Sequence, residues 1–168
     1  FFDGCARIER RDGLELVERD DHRPLARSGN APGQREHFGG EAFDIAGTRI
    51  ALVTVRDLEQ HVDREQLLHD DSTVPPYWAL VWGGARALAE HLATRVDCAG
   101  RSVLDVGCGL GLVALTAAAR GASVTAIDRE LAPIEFLQAS ATINAASIDA
   151  LVGDVVTAAF GRRFDLVL

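Results

Sequence analysis

A short strand that runs into three glycines and then directly into a helix is the feature that most constrains the fold of this chain. Residues 102–106 are rich in branched side chains, Gly107, Gly109 and Gly111 follow them, and an alanine-rich stretch continues over residues 110–120. Glycine lets the backbone turn tightly and leaves no Cβ between the chain and a ligand. The amino terminus of the following helix favours negative charge. This unit predicts an α/β fold with a ligand site at the glycine loop.

Strands and helices alternate through the surrounding sequence. The apolar spacing predicts a helix over 84–94, a strand over 123–127, a helix over 133–146 and strands over 148–152 and 164–168. Strands that alternate with helices imply parallel pairing through right-handed crossovers. We therefore expect a Rossmann-like, doubly wound parallel sheet.

Two further regions precede this core. Residues 1–38 carry charges of both signs with little periodicity, which is typical of a solvated, flexible arm. Within 39–74, strands over 43–45 and 48–55 flank Ala46-Gly47 and predict a β-hairpin, with a short helix over 58–68. The expected division is thus 1–38, 39–74 and a core over 75–168.

Charge and cysteine content exclude several classes of function. A net charge of −8 argues against nucleic-acid binding, which needs cationic groups, and no uncharged apolar stretch approaches the ~18 residues of a membrane span. Three cysteines without a C-x-x-C motif fit a reducing, cytoplasmic compartment. His61 and His69 lie near two aspartates, but their spacing matches no metal site, so we expect no metal.

Three aspartates stand where strands of the predicted sheet end. Asp105 lies two residues before the first glycine, where it could hold a cationic amine. Asp128 closes the next strand and could accept both ribose hydroxyls of an adenosyl group, or cap the following helix. Asp154 follows the third strand and could bind an adenine amino group, or simply form a turn. All three would share the carboxyl edge of the sheet, where such folds bind ligands.

The spacing of the loop decides between two ligand classes. A dinucleotide fingerprint needs a small third residue, and that position is Leu112, which disfavours a nicotinamide-dependent oxidoreductase. Cys108 lies between the glycines at a helix start, a place that can lower the pKa of a thiol. Because no histidine partner is identifiable, we interpret Cys108 as a small residue of the ligand-binding loop.

These residues carry a family resemblance. The pattern is Asp105-x-Gly107-x-Gly109-x-Gly111, then Asp128, then Asp154. It resembles the class I S-adenosylmethionine-dependent methyltransferases. The block over 76–82, with Tyr77 and both tryptophans, and the helix over 86–92 are similar to the seven-strand protein-lysine methyltransferases of the electron transfer flavoprotein β-subunit lysine methyltransferase type. The similarity covers residues 43–168.

The resemblance implies an S-adenosylmethionine site and a role for each residue in it. Asp105 and the loop of Gly107, Cys108, Gly109 and Gly111 would hold the methionyl end, Asp128 the ribose and Asp154 the adenine. Trp82 would lie against the methyl donor, with Tyr77 and Trp78 near the mouth, although Trp78 could equally be a core residue. Relatives often have a proline where this chain has Gly83.

The implied reaction is methyl transfer to a nitrogen nucleophile, expected to be a protein lysine. An apolar mouth near Trp78 and Trp82 would favour the neutral amine. Alternatives are a small-molecule acceptor and a module that binds an adenosyl ligand without turnover. The sequence identifies no catalytic residue and no oligomeric state. The resembling fold has seven strands and four follow Arg101, so we expect a core that is incomplete at its C-terminus in a chain truncated at both ends.

Overall fold

The computed structural model describes residues 6–11, 14–19, 38–56 and 75–168. The strands are β1 Ala6–Arg11, β2 Leu14–Arg19, β3 Phe38–Ile45, β4 Thr48–Val55, β5 Ser102–Val106, β6 Ser123–Asp128, β7 Ile148–Val152 and β8 Leu166–Val167. The helices are α1 Gly83–Arg95, α2 Leu112–Ala119 and α3 Leu131–Ile143, with a 3-10 turn over Tyr77–Ala79. The helix predicted over 58–68 and the pair His61 and His69 lie outside these residues.

The main sheet has the order β1-β2-β7-β6-β5-β8. Strands β7, β6, β5 and β8 are parallel, and α2 and α3 form the crossovers from β5 to β6 and from β6 to β7. The strand order reverses at β5, because β6 lies on one side of it and β8 on the other. The predicted Rossmann-like α/β fold is confirmed, and its ligand site is expected at this reversal.

The charged N-terminal region contributes two strands to this sheet. β1 and β2 pair antiparallel, and β2 pairs antiparallel with β7 through Glu15 opposite Val152 and Leu16 opposite Leu151. The prediction of a flexible arm over 1–38 is therefore wrong for β1 and β2. The apolar and charged residues alternate around Glu15, which suits a strand, and the edge of β7 offers backbone partners that composition does not reveal.

The predicted β-hairpin is confirmed as β3 and β4. Its two-residue turn has positive φ at Ala46 (49°) and Gly47 (80°), and Gly47 N donates to Asp44 Oδ1 at 2.9 Å. Two successive positive φ values characterise the type I′ turn that matches the twist of paired strands. Ile50 and Leu52 share the buried face, as the alternation predicts.

Polar side chains at the C-terminal end of α3 hold this hairpin against the core by hydrogen bonds. Ala51 N donates to Asn144 Oδ1 at 2.9 Å, and Asn144 Nδ2 donates to Ala51 O at 2.6 Å. Val53 N donates to Ser140 Oγ at 2.9 Å. Asn144, which follows the last residue of α3, thus pairs with both backbone groups of one strand residue and has a structural role.

Helix boundaries follow local backbone chemistry. α2 begins at Leu112 and not at residue 110, because Gly111 has the left-handed φ of 84°. α3 begins at Leu131, so Pro133 lies in the first turn, where a missing amide hydrogen costs no helix bond. α2 is buried along most of its length. The helices pack on one face of the sheet, where they form the main hydrophobic core. Leu104, Ile127 and Leu151 form a smaller hydrophobic cluster on the opposite face.

Candidate functional site

The glycine loop is tied to the end of β6. Gly107 N and Cys108 N both donate to Ile127 O, at 2.8 and 3.2 Å, and Gly109 N donates to Asp128 Oδ2 at 3.1 Å. The loop and the last residue of β6 are therefore one hydrogen-bonded unit. This connection explains why the acid at the end of β6 and the glycines belong to the same site.

Two of the glycines are required for different reasons. Gly111 has a φ of 84°, and a Cβ there would lie 2.2 Å from Leu137 Cδ1, so its glycine allows α2 to approach α3 closely. Gly107 has a φ of 66°, yet a Cβ there would meet nothing within 4 Å. Gly107 therefore faces open space, which is what a loop that receives a ligand requires.

That open space is a cavity of about 270 Å³ at the carboxyl ends of β5 and β6. Small-molecule sites usually have volumes of ~300–1,000 Å³, so this cavity lies just below that range. Six of the predicted site residues line it: Trp82, Gly107, Cys108, Gly109, Gly111 and Asp128. Asp105 and Asp154, the other two, are not among the lining residues.

Asp128 is nearly buried, and both of its carboxylate oxygens have protein partners. Oδ2 accepts from Gly109 N, and Oδ1 accepts from Glu130 N at 3.3 Å. Glu130 is the N-cap of α3, so the alternative interpretation of Asp128 as the N-cap is wrong. Asp128 thus holds the glycine loop by a hydrogen bond and also lines the cavity. Its binding of a ribose stays a prediction.

Asp105 is 5% exposed and its Oδ2 atom has no hydrogen-bond partner among the described residues. Burial raises the pKa of this carboxyl to about 6; a backbone hydrogen bond at Ala114 works against the shift, and the charge of Asp128 adds to it. A buried oxygen without a donor is costly, so a buried water that donates to Asp105 would satisfy it. Asp105 does not line the cavity, so its role toward an amine stays a prediction.

Asp154 shapes the chain after β7. Its Oδ1 accepts from Val156 N at 2.9 Å, and its carbonyl accepts from Thr157 N and Ala158 N at 3.0 and 2.9 Å. The side chain is exposed and forms the turn that the isolated Gly-Asp pattern predicts. Contact with an adenine stays a prediction for this residue.

The aromatic block forms one wall of the cavity. The ring of Trp78 packs at a tilt of 47° against Phe136 of the core, with 5.4 Å between the ring centroids. The carbonyl oxygen of Trp78 would lie 3.3 Å from a Cβ at Gly109. Both interpretations of Trp78 hold, since it packs in the core and also lines the cavity. Trp82 is half exposed, and its indole Nε1 donates to Tyr77 O at 2.8 Å.

The surroundings of Cys108 determine the pKa of its thiol. Burial raises the pKa of this thiol well above its ordinary value, and the charges of Asp105 and Asp128 raise it further. The position at a helix start therefore does not lower the pKa of this thiol. Cys108 stays a neutral thiol, which agrees with its interpretation as a small residue of the loop.

Sequence reasoning missed two charged members of the site. Arg129 and Glu130 line the cavity beside Asp128, and Arg129 Nε lies 3.9 Å from Glu130 Oε1 in an exposed ion pair. Their position directly after the acid that ends β6 is the signal that could have identified them. They give the mouth of the cavity one positive and one further negative group.

The comparison with known families decides the identity of this fold. The methyltransferase small domain matches residues 78–168, which is more than half of the chain. The chain belongs to this family. The match includes the glycine loop, Asp128 and both tryptophans, so the class I S-adenosylmethionine-dependent methyltransferase predicted from these residues is confirmed, with S-adenosylmethionine as its cofactor.

Two curated methyltransferases are similar over shorter segments. The electron transfer flavoprotein beta subunit lysine methyltransferase of Danio rerio is 45% identical over 60 residues, which cover 35% of this chain and 23% of that protein. The ubiquinone biosynthesis O-methyltransferase of Pseudomonas fluorescens is 35% identical over 75 residues, covering 44% of this chain and 32% of that protein. The matched segments thus span about a quarter to a third of these relatives.

A solved structure shares the fold. The 16S rRNA N2 G1207 methyltransferase RsmC of T. thermophilus, in complex with AdoMet and guanosine, has a TM-score of 0.59 and 24% identity. The similarity covers 96% of this chain and 39% of that one. At this identity the likeness shows the fold alone.

The residues at the site fit an adenosyl ligand. Gly107 leaves open space at the loop, and the Asp128 carboxylate lines the same cavity. Within the part of the chain that the structure describes, no group of three or more acidic, histidine or cysteine side chains could hold a metal ion. Among these same residues no helix has the length and apolar character to cross a membrane.

Proposed function

We propose that this protein transfers the methyl group of S-adenosylmethionine to the side-chain nitrogen of a protein lysine. The segment that is 45% identical to a protein-lysine methyltransferase carries this choice of acceptor. The aromatic wall beside the cavity supports it, because Tyr77, Trp78 and Trp82 line the same space as the glycine loop. Aromatic rings suit the long aliphatic stem and charged head of a lysine.

The protein contributes alignment and the exclusion of water. The cofactor, when bound, supplies a methyl group already activated on a sulfonium, so the chain needs no strong acid or metal to activate the donor. Gly107 and Asp128 would hold the adenosyl end, and the wall formed by Trp78 would shield it on the side of Gly109. Fixing two reactants in line removes much of the entropic barrier.

The acceptor nitrogen must be neutral when it reacts, and a free lysine has a pKa of ~10.4. Its lone pair forms the bond to the methyl carbon as the carbon–sulfur bond breaks, and sulfur keeps that electron pair. The positive charge thereby moves to nitrogen, and the methylated amine stays an ammonium at neutral pH. The one proton released is the proton that the lysine ammonium gives up to water before it reacts. We assign no side chain of the described residues as the base.

A small-molecule acceptor is the second candidate. The segment that is 35% identical to an O-methyltransferase of ubiquinone biosynthesis favours it. The donor site does not distinguish the two, since the glycine loop and Asp128 would serve either acceptor. A module that binds an adenosyl ligand without turnover would also use these residues.

Methyl transfer to matched acceptors tests the proposal. The protein is incubated with methyl-labelled S-adenosylmethionine and one of three acceptors. These are a library of lysine-containing peptides, the same library with arginine in place of lysine, and a dihydroxybenzene. We expect label in the lysine peptides alone, located on the side-chain nitrogen by fragmentation mass spectrometry. Asp128→Asn is the control, because its amide oxygen still accepts from Gly109 N while one carboxylate oxygen is lost.

Two other outcomes contradict the lysine acceptor, and a third contradicts the location of the donor. Label only in the dihydroxybenzene favours the small-molecule candidate. Binding of S-adenosylhomocysteine with no transfer to any acceptor favours the binding module. Transfer that Asp128→Asn leaves unchanged would show that the donor does not occupy this cavity.

A further inference from the structure

Two aromatic side chains at the mouth of the cavity are more exposed than ordinary packing explains. Tyr77 is 57% exposed and Trp82 is 52% exposed, and their ring centroids lie 5.9 Å apart at an angle of 51°. We call these two residues the aromatic pair. Large exposed apolar groups beside a cavity mark interaction sites more often than isolated ones do.

The orientation of the pair is fixed by a hydrogen bond. Trp82 Nε1 donates to the backbone carbonyl of Tyr77 at 2.8 Å, so the only polar group of the indole already has its partner. The exposed remainder of Trp82 is hydrocarbon ring. Such a surface offers a ligand no hydrogen-bond donor, and its faces carry the negative end of the ring quadrupole, which attracts cations.

The charges around the cavity bear on which ligand the pair accepts. Asp128 and Glu130 contribute negative charge to the lining, and the whole chain has a net charge of −8. Arg129 and the positive end of α1, which begins at Gly83, oppose a cation there. The ion pair of Arg129 with Glu130 is long and exposed, and Asp128 adds a second carboxylate. The lining therefore accommodates a cation at the rings.

We propose that the aromatic pair binds the acceptor amine in its cationic form, as an alkylammonium. The inference rests on the proposed lysine acceptor and names how that acceptor is recognised. It differs from the expectation that an apolar mouth favours the neutral amine, because half-exposed rings remove little water while their faces still attract positive charge. The methylated product is also a cation, so the pair binds the acceptor before and after transfer.

A pair of fixed-charge probes tests this recognition without turnover. The probes are the N-acetyl methylamide of trimethyllysine and its neutral analogue with carbon in place of the quaternary nitrogen. Binding to the protein saturated with S-adenosylhomocysteine is measured by NMR titration. We expect the cationic probe to bind about three- to fivefold more tightly, the factor of an exposed cation–π contact. Trp82→Leu and Tyr77→Leu should each reduce this ratio toward one.

Leu80→Ala is the matched control, because Leu80 lines the same cavity, is half exposed and has no aromatic ring. It should change the affinity for both probes equally and leave their ratio intact. Equal binding of the two probes by the unmodified protein would overturn the proposal and leave only an apolar surface. A ratio that survives Trp82→Leu and Tyr77→Leu would also overturn it.

A further measurement distinguishes binding of the acceptor by the aromatic pair from binding of the methyl donor. If Trp82→Leu weakens S-adenosylmethionine, which is a sulfonium cation, but not the neutral S-adenosylhomocysteine, then the pair faces the donor and the proposal fails. Because the probes cannot be methylated, their binding is independent of the transfer assay. A protein that binds the cationic probe selectively but methylates no lysine would refute the proposed function and retain this site for cations.

Discussion

Gly111 offers a quantitative test of how closely α2 approaches α3. An alanine there must adopt a φ of 84°, and its Cβ would lie 2.2 Å from Leu137 Cδ1. The left-handed backbone costs ~1–2 kcal/mol for an L-residue. Forcing a methyl group into a packed contact costs a further ~1–3 kcal/mol. We therefore expect Gly111→Ala to lower the free energy of unfolding by ~2–5 kcal/mol.

Gly100→Ala separates the two contributions. Gly100 has a φ of 71°, similar to that of Gly111, but a Cβ there would meet nothing within 4 Å. This variant should lose only the ~1–2 kcal/mol of backbone strain. Urea unfolding followed by circular dichroism gives both values, provided that the slopes with urea agree.

The double variant Gly111→Ala with Leu137→Ala completes the cycle. Leu137→Ala alone leaves a cavity and costs ~2–5 kcal/mol. It removes Cδ1 and Cγ, the two atoms that the new methyl group would meet most closely, and leaves Cβ at an ordinary contact distance of 3.4 Å. In that background Gly111→Ala should cost no more than Gly100→Ala does. If Gly111→Ala costs the same in both backgrounds, and as little as Gly100→Ala, the close approach of the helices is refuted.

Three further predictions concern buried polar groups and the loop. The pKa of Asp105 is raised from 3.8 in the unfolded chain to about 6 in the folded protein, so between these pH values the folded state binds more protons. The free energy of unfolding should therefore fall as the pH rises from 3.8 to 6. At ~1.36 kcal/mol per pKa unit, the loss is ~3 kcal/mol. Urea unfolding at several pH values should show this slope disappear in Asp105→Asn; a slope that persists would contradict the assignment. Asn144→Ala should lower the free energy of unfolding by ~1–3 kcal/mol and increase the rate of hydrogen exchange at the Ala51 amide. An unchanged exchange rate would show that Asn144 does not hold β4 in place. Gly107→Ala should lower the free energy of unfolding only by the strain of a left-handed backbone. It should also weaken the binding of S-adenosylhomocysteine in calorimetry, because the added methyl group enters the cavity. An unchanged affinity would show that the ligand binds elsewhere.

Periodicity was sufficient for the parts of the fold that local chemistry determines. The strand Ile148–Val152 and the β3–β4 hairpin follow from alternation and from an Ala-Gly turn, and the structure confirms both. The pairing of β2 with β7 could not be predicted in this way. It joins Glu15 to Val152 across most of the chain, and a charge-rich composition conceals such long-range pairing.

The sequence predicted some residues of the candidate site and not others, again because local patterns are visible in a sequence and long-range packing is not. Spacing identified the glycines and Asp128, because a strand–loop–helix unit brings them together locally. It could not show that Asp105 is buried away from the cavity, or that Asp154 forms its own turn, because both depend on how helices and loops cover the sheet. Arg129 and Glu130 were missed because charged residues after a strand are usually solvated.

Ligand preference tests the central claim most directly. Isothermal titration of the protein with S-adenosylhomocysteine and with NAD compares two adenosine-containing ligands at the same glycine loop. We predict binding of S-adenosylhomocysteine and none of NAD, because Leu112 occupies the position where a dinucleotide loop needs a small residue. Asp128→Asn should reduce the affinity by ~1–3 kcal/mol, the cost of one lost polar partner. Binding of NAD in preference to S-adenosylhomocysteine would contradict the account.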